Sequence, residues 1–174
     1  MALQIIICVE ADKRSGTDNV YVGETLRRFY EIGNDFNINY VNMGGKSKYK
    51  ATDVTRKIKQ LTKEYKLGET VVVYCIDTDN YESNADHQKE LNEIISYTKN
   101  NGYELVWFCH DVEEVFVGNS IHKDAKKTQA LNFKKKGEIK QVNEKQLAVS
   151  KYRKCTSNIL TVFDRYLKRR IKMP

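Results

Sequence analysis

Three acidic side chains stand where apolar runs stop: Glu10 follows Leu3–Val9, and Asp77 and Asp79 follow Val71–Ile76. The unbroken β-branched and aromatic run Val71-Val72-Val73-Tyr74-Cys75-Ile76, bounded by Gly68 and by polar residues, reads as a strand buried on both faces. In an extended chain residues two apart point to one side, so Asp77 and Asp79 are expected to present two carboxylates to one small region. Like charges that close are costly unless a cation holds them. A hard cation such as Mg²⁺, for which Mn²⁺ can substitute, suits one or two carboxylates, with waters and substrate phosphates filling its octahedron. The expected site therefore puts Asp77 and Asp79 on the metal, with Glu10 sharing it or taking a proton from an attacking water.

Each residue also has a plainer reading. A lone strand-end aspartate usually caps the following turn, and the pair together with Glu10 is what argues for a metal. Asp111 and Glu114, after Glu104–Cys109, are accessory candidates that a D-x-x-E capping box explains equally well. Asp12 and Asp18 read as a loop and a cap residue. His110 and His122 lack paired ligand spacing and read as a strand end and a surface residue, and no CxxC pair suggests structural zinc. Gly44-Gly45-Lys46-Ser47 shares Gly-Lys-Ser with phosphate-cradling loops, but the position five residues before Gly45 is Tyr40 rather than glycine. No helix is expected until Thr52, so Lys46 is placed on a loop without phosphate-binding geometry, and NTP hydrolysis is disfavoured.

The elements that must position these residues follow from periodicity. The expected order is a strand over Leu3–Val9, a helix capped by Asp18 or Asn19 with Val22, Leu26, Phe29 and Tyr30 on one face, and a strand over Phe36–Met43. A helix capped by Thr52 follows, carrying Val54, Ile58, Leu61 and Tyr65. Next come the Val71–Ile76 strand, a helix opened by Ser83 or Asn84 with Leu91, Ile94 and Ile95 inward, and a strand over Glu104–Cys109 in which Trp107 and Phe108 are core. Strands alternating with such helices predict an α/β fold, a mostly parallel four-stranded Rossmann-like sheet with helices on both faces. Ligands bind such sheets outside the carboxyl ends of the strands, where Glu10, Asp77, Asp79 and Asp111 all lie. From Lys123 onward no strand is expected, only polar helical stretches and one amphipathic helix, Ser157–Arg170, with Ile159, Phe163, Tyr166 and Leu167 on its apolar side. The division is an α/β domain over 1–122 and a basic helical extension over 123–174 packed on the same domain.

Length and charge fit this organisation. The 174 residues suit one domain, and 40% hydrophobic composition can bury a core. No apolar run approaches the roughly 18 residues that span a bilayer, and the first apolar stretch soon meets Glu10, so a cytoplasmic protein without membrane contact is expected. Cys8, Cys75 and Cys109 lie inside apolar runs, the usage of a reducing compartment. Through His122 the chain holds 14 Lys and Arg against 19 Asp and Glu, a charge of −5, and after it 16 against 4, a charge of +12. Such a segment is the electrostatic footprint of a binder of phosphate backbones, with Lys134, Lys135, Lys136, Arg169 and Arg170 as the contacts; a solvated basic face explains it equally well.

Val9-Glu10 and Ile76-Asp77-Thr78-Asp79 in a small α/β sheet resemble the Toprim fold of topoisomerases, bacterial primases and several nucleases. More narrowly, Ile-Ile-Cys-Val-Glu10 followed by Thr17-Asp18-Asn19-Val20-Tyr21 resembles the RloB-like branch, over about residues 1–120. That branch opens with an apolar strand, Cys-Glu-Gly and Thr-Glu-x-x-Tyr. Here Ala11 stands for the glycine, Lys13–Gly16 lengthens the loop, and Asp18 replaces the glutamate. Its Ser-Asn-Pro-x-Phe-Glu-x-Trp segment is matched only by Asp111-Val-Glu-Glu-Val-Phe116, of which Glu114 and Phe116 are the remnant. The resemblance implies a Mg²⁺-dependent nuclease acting on DNA or RNA, of the kind found in prokaryotic phage defence or mobile elements. A partner protein from the same locus is a further expectation. The alternative is a non-catalytic Toprim-like module that binds nucleic acid or protein. A chain this short lacks the separate tyrosine domain of a topoisomerase and the template-binding modules of a primase.

Overall fold

A computed structural model describes residues 2–171. Four parallel strands, β1 (Ala2–Val9), β2 (Phe36–Asn42), β3 (Gly68–Asp77) and β4 (Glu104–Cys109), alternate with α1 (Thr17–Phe29), α2 (Thr52–Glu64) and α3 (Ala85–Asn100). The sheet order is β2-β1-β3-β4-β5, where β5 (Thr156–Ser157) joins antiparallel to the outer edge of β4. The fold is α/β with a mostly parallel sheet covered on both faces, but it has five strands rather than four. The segment after β4 forms α4 (Val112–Val117), α5 (Lys123–Lys136), two single turns over Glu138–Gln141 and Glu144–Leu147, then β5 and α6 (Ile159–Phe163).

The pleat sorts the strand residues into two cores. Ile5, Ile7, Val9, Val73, Cys75, Val106 and Phe108 face a layer built from α1, α4, α5 and α6. Ile6, Cys8, Val72, Tyr74 and Ile76 face α2 and α3. Phe133 of α5, Leu147 and Phe163 belong to the first core, so residues beyond 122 share the hydrophobic interior of the α/β part. α5 has a narrow apolar side, Ala130 and Phe133, and Phe133 meets Tyr21 at a tilt and Phe116 edge-on.

The chain end differs from the expected helix over Ser157–Arg170. Thr156 and Ser157 pair with β4, and Asn158 then takes a strand's place with its side chain, accepting from Trp107 N (2.9 Å) and donating to Leu105 O (2.9 Å). Ser157 Oγ donates to Trp107 O at 2.6 Å. The helix that follows lasts five residues. Beyond it, Arg169 is drawn to Asp164 and Glu144 and lies over the Phe29 and Tyr30 rings, while its backbone bridges Tyr30. These partners, most of them distant in the chain, outcompete continuation of the helix.

Candidate active site

The strand ends bring Glu10, Asp77 and Asp79 to one edge, but they do not point to one spot. β3 ends at Asp77, and Asp79 has a left-handed backbone, φ 49°, so the two-residue alternation stops between them. Asp77 keeps the strand's parity and faces the α1–α5 layer, where the charges acting on it come from Glu10, Asp18, Glu113 and Lys126. Asp79 turns the other way, and its carboxylate takes the ammonium of Lys46. The expectation of Asp77 and Asp79 as a joint pair of metal ligands is thus corrected. Among the described residues, only Glu82, Cys109 and His110 bring three ligand atoms within 4.8 Å of one another.

Glu10 stands between the two halves. Its Oε1 accepts from Asp77 N at 2.7 Å, locking the ends of β1 and β3 together. Burial pushes its pKa from an ordinary 4.5 to about 8; the Asp77 N–H and Lys46 work against that rise, and the charges of Asp18 and Asp79 add to it. Asp77 is also held well above the ordinary carboxylate range, first by burial and then by Glu10, Asp18 and Glu113. Its carboxylate accepts no hydrogen bond from the described residues.

Lys46 is the residue that sequence reasoning misplaced. The bend at Gly44 (φ 74°) and Gly45 (φ 127°) folds the loop after β2 back over the edge, with Gly45 N on Glu10 O at 2.8 Å. Lys46 is 6% exposed, donates to Asp77 O at 3.1 Å and to Asp79, and has Glu90 at 3.6 Å. Burial opposes its charge, yet Asp79, Glu10 and Glu90 hold its pKa above the ordinary lysine value. The available signal was a lysine directly after two glycines at a strand's carboxyl end. On the other side Lys126 pairs with the fully buried Glu113 at 2.8 Å.

Asp18 does not cap α1; Gly16 stands at that position. Its Oδ2 accepts from Ala11 N at 2.9 Å, and burial raises its pKa, so it belongs to the acidic group rather than to the helix end. Asp12 accepts from the backbone of Arg14 and Ser15 as a loop residue. Asp111 caps α4 through Glu114 N at 2.7 Å and accepts from Ser120 Oγ at 2.6 Å. The reciprocal half of a capping box is absent, because Glu114 turns to His110 Nδ1 at 3.0 Å.

The predicted basic contacts lie elsewhere. Lys126 marks the acidic end of α5, and Lys134–Lys136 come about 12–15 Å further along it at 1.5 Å per residue. They are exposed, beside the Phe29 end of α1 where Arg169 also sits and where Arg170 Nε donates to Tyr30 O at 2.8 Å. Lys134, Lys135 and Lys136 thus lie at the end of α5 away from the acids, and Arg169 and Arg170 sit by the end of α1, where Arg169 is occupied by two carboxylates.

The donors fit a hard divalent cation in one arrangement. Glu10 has an oxygen not used on Asp77 N–H, the Asp77 carboxylate is unbonded, and both are oxygens from which a cation would relieve crowding. Asp79, held by Lys46, is not available on the same terms. The described residues include no helix long and apolar enough to cross a membrane. No family model, curated protein or solved structure matches this chain.

Proposed function

We propose that the chain is a Toprim-like, metal-dependent nuclease that cleaves phosphodiester bonds of DNA or RNA. What supports this most is one observation: Glu10 and Asp77, two carboxyls raised above their ordinary range, meet at the carboxyl edge of the sheet, where Glu10 accepts from the Asp77 N–H at 2.7 Å and its charge raises the Asp77 carboxyl. Glu10 and Asp77 would hold Mg²⁺ or Mn²⁺, with Asp18 behind them. The bound metal would supply charge stabilisation on the phosphate and a more acidic water. Lys46 adds a fixed positive charge on the other flank of Glu10, placed to meet a phosphate oxygen when Asp79 releases it. Glu10 would share the metal or, once ionised, take a proton from the attacking water. Purified protein incubated with plasmid and with tRNA, in Mg²⁺ or Mn²⁺ against EDTA, tests the proposal. Metal-dependent cleavage lost in Asp77→Asn supports it, and intact substrates under every condition count against it.

A second reading is favoured by Lys46 itself. Its ammonium already neutralises Asp79 and approaches Glu10, which is the office a metal would otherwise hold in a non-catalytic module. Under this reading Mg²⁺ leaves the melting temperature unchanged, while nucleic acid still binds.

A further inference from the structure

The geometry points to a zinc site formed by Glu82, Cys109 and His110, separate from the carboxyl pair of Glu10 and Asp77. One ligand atom from each of the three lies within 4.8 Å of the other two. His110 Nε2 and Glu82 Oε1 are 3.2 Å apart. Two ligands on a tetrahedral zinc, each at about 2.0–2.2 Å, stand about 3.3–3.6 Å from one another, so the nitrogen and oxygen need to part by only a few tenths of an ångström to take the ion. The other ring nitrogen, Nδ1, meets Glu114 Oε2 at 3.0 Å, and Glu114 is 5% exposed with Lys154 balancing it at 3.3 Å. A buried carboxylate behind a histidine fixes the tautomer in which Nε2 offers a lone pair, the arrangement found behind metal-bound histidines. A proton shared by His110 and Glu82 would account for that pair alone. It has no use for the sulfur of Cys109 beside them, whereas nitrogen, oxygen and thiolate together are the donors of zinc.

The three ligands join two segments, the turn after β3 carrying Glu82 and the β4–α4 junction carrying Cys109 and His110. Asp79 N already donates to His110 O at 2.8 Å, so the ion would fix the turn that holds Asp79 against Lys46. On binding, the Cys109 thiol gives its proton to solvent and a sulfur–zinc bond forms, leaving the fourth position to water.

The test uses the full chain freed of metal by chelator and titrated with Co²⁺ as a spectroscopic stand-in for Zn²⁺. The expected result is a thiolate-to-cobalt charge-transfer band that saturates at one ion per chain, is bleached by Zn²⁺ and is untouched by excess Mg²⁺. The band should vanish in Cys109→Ser and persist in Cys155→Ser. Glu82→Gln alters a half-exposed side chain, so it keeps the test open if Cys109→Ser fails to fold, and it should weaken zinc binding at least tenfold. Absence of the band, a band that survives Cys109→Ser, or zinc affinity unchanged in Glu82→Gln overturns the proposal. None of these outcomes depends on whether nucleic acid is cleaved.

Discussion

Removing the charge of Glu10 should stabilise the metal-free protein, and the effect should depend on pH. Folded Glu10 keeps its proton to about pH 8, whereas in the unfolded chain it ionises near its ordinary 4.5. Between those values the folded state binds more protons, so stability falls as pH rises. One proton is worth about 1.4 kcal/mol per pH unit, so going from about pH 5.5 to about pH 7.5 removes at most about 3 kcal/mol. Because Glu10 is only partly buried, roughly 1–2 kcal/mol is the realistic share. For a chain of this size each kcal/mol moves the melting temperature by about 2–4 °C, so the wild type in EDTA should melt about 2–8 °C lower at the higher pH. His110, raised by Glu82 and Glu114 against its burial, loses its contribution in the same direction over the same range. The informative quantity is therefore the difference from Glu10→Gln, which keeps an acceptor for Asp77 N but carries no charge. Scanning calorimetry of both proteins at the two pH values should show Glu10→Gln melting higher than wild type near pH 7.5, with the gap reduced to about a third near pH 5.5. Millimolar Mn²⁺ should raise the wild type and close the gap from the other side. If Glu10→Gln melts lower at both pH values, Glu10 is not a strained carboxyl and the electrostatic account of the site is wrong.

Three further outcomes are expected. Asp77→Asn should lower metal-dependent cleavage at least a hundredfold while the metal-free protein melts no lower than wild type, measured by plasmid nicking and calorimetry. Lys46→Met leaves Asp79 without its cation; loss of a buried partner costs about 3–5 kcal/mol, which partial exposure of Asp79 brings to roughly 2, so melting should fall by about 4–8 °C and cleavage by at least tenfold. Replacing Lys134, Lys135 and Lys136 with Gln should flatten the dependence of nucleic-acid affinity on salt, each lost phosphate contact removing about 0.9 from the log–log slope, without changing the cleavage rate at saturating substrate; an unchanged slope marks that helix end as merely solvated.

The parallel strands were legible because each is an apolar run closed by polar residues, and the buried sets Ile5–Val9 and Val72–Ile76 match those runs. The caps were partly legible: Asn84 does cap α3, accepting from Asp86 N and His87 N, whereas Asp18 is drawn off by Ala11 N. β5 was not legible, since two residues carry no period and its pairing is completed by the Asn158 amide. Nor could the helix over Ser157–Arg170 be rejected from its apolar spacing, because Arg169 is diverted by residues far away in the chain, Phe29, Tyr30 and Glu144. At the site, strand parity carried the argument correctly to Asp77 and failed two residues later, where Asp79 leaves the extended region. Lys46 was out of reach for a related reason: its role depends on two glycine dihedrals and on a partner 33 positions away.

The two margins of the sheet are finished differently, and this bears on how the protein can self-associate. Beside β4 the open hydrogen-bonding groups of Leu105 and Trp107 are consumed by the Asn158 amide and those further on by Thr156 and Ser157, so an incoming extended peptide finds no free ladder there. β2 has a neighbour on one side only, β1, and among the described residues no strand pairs with its other side. Its sequence, Phe-Asn-Ile-Asn-Tyr-Val-Asn, carries asparagines at positions 37, 39 and 42, and no lysine or proline interrupts it. Strand exchange or fibril growth at high concentration should accordingly begin at β2, and a single lysine in place of Asn39 is the smallest change that would discourage it.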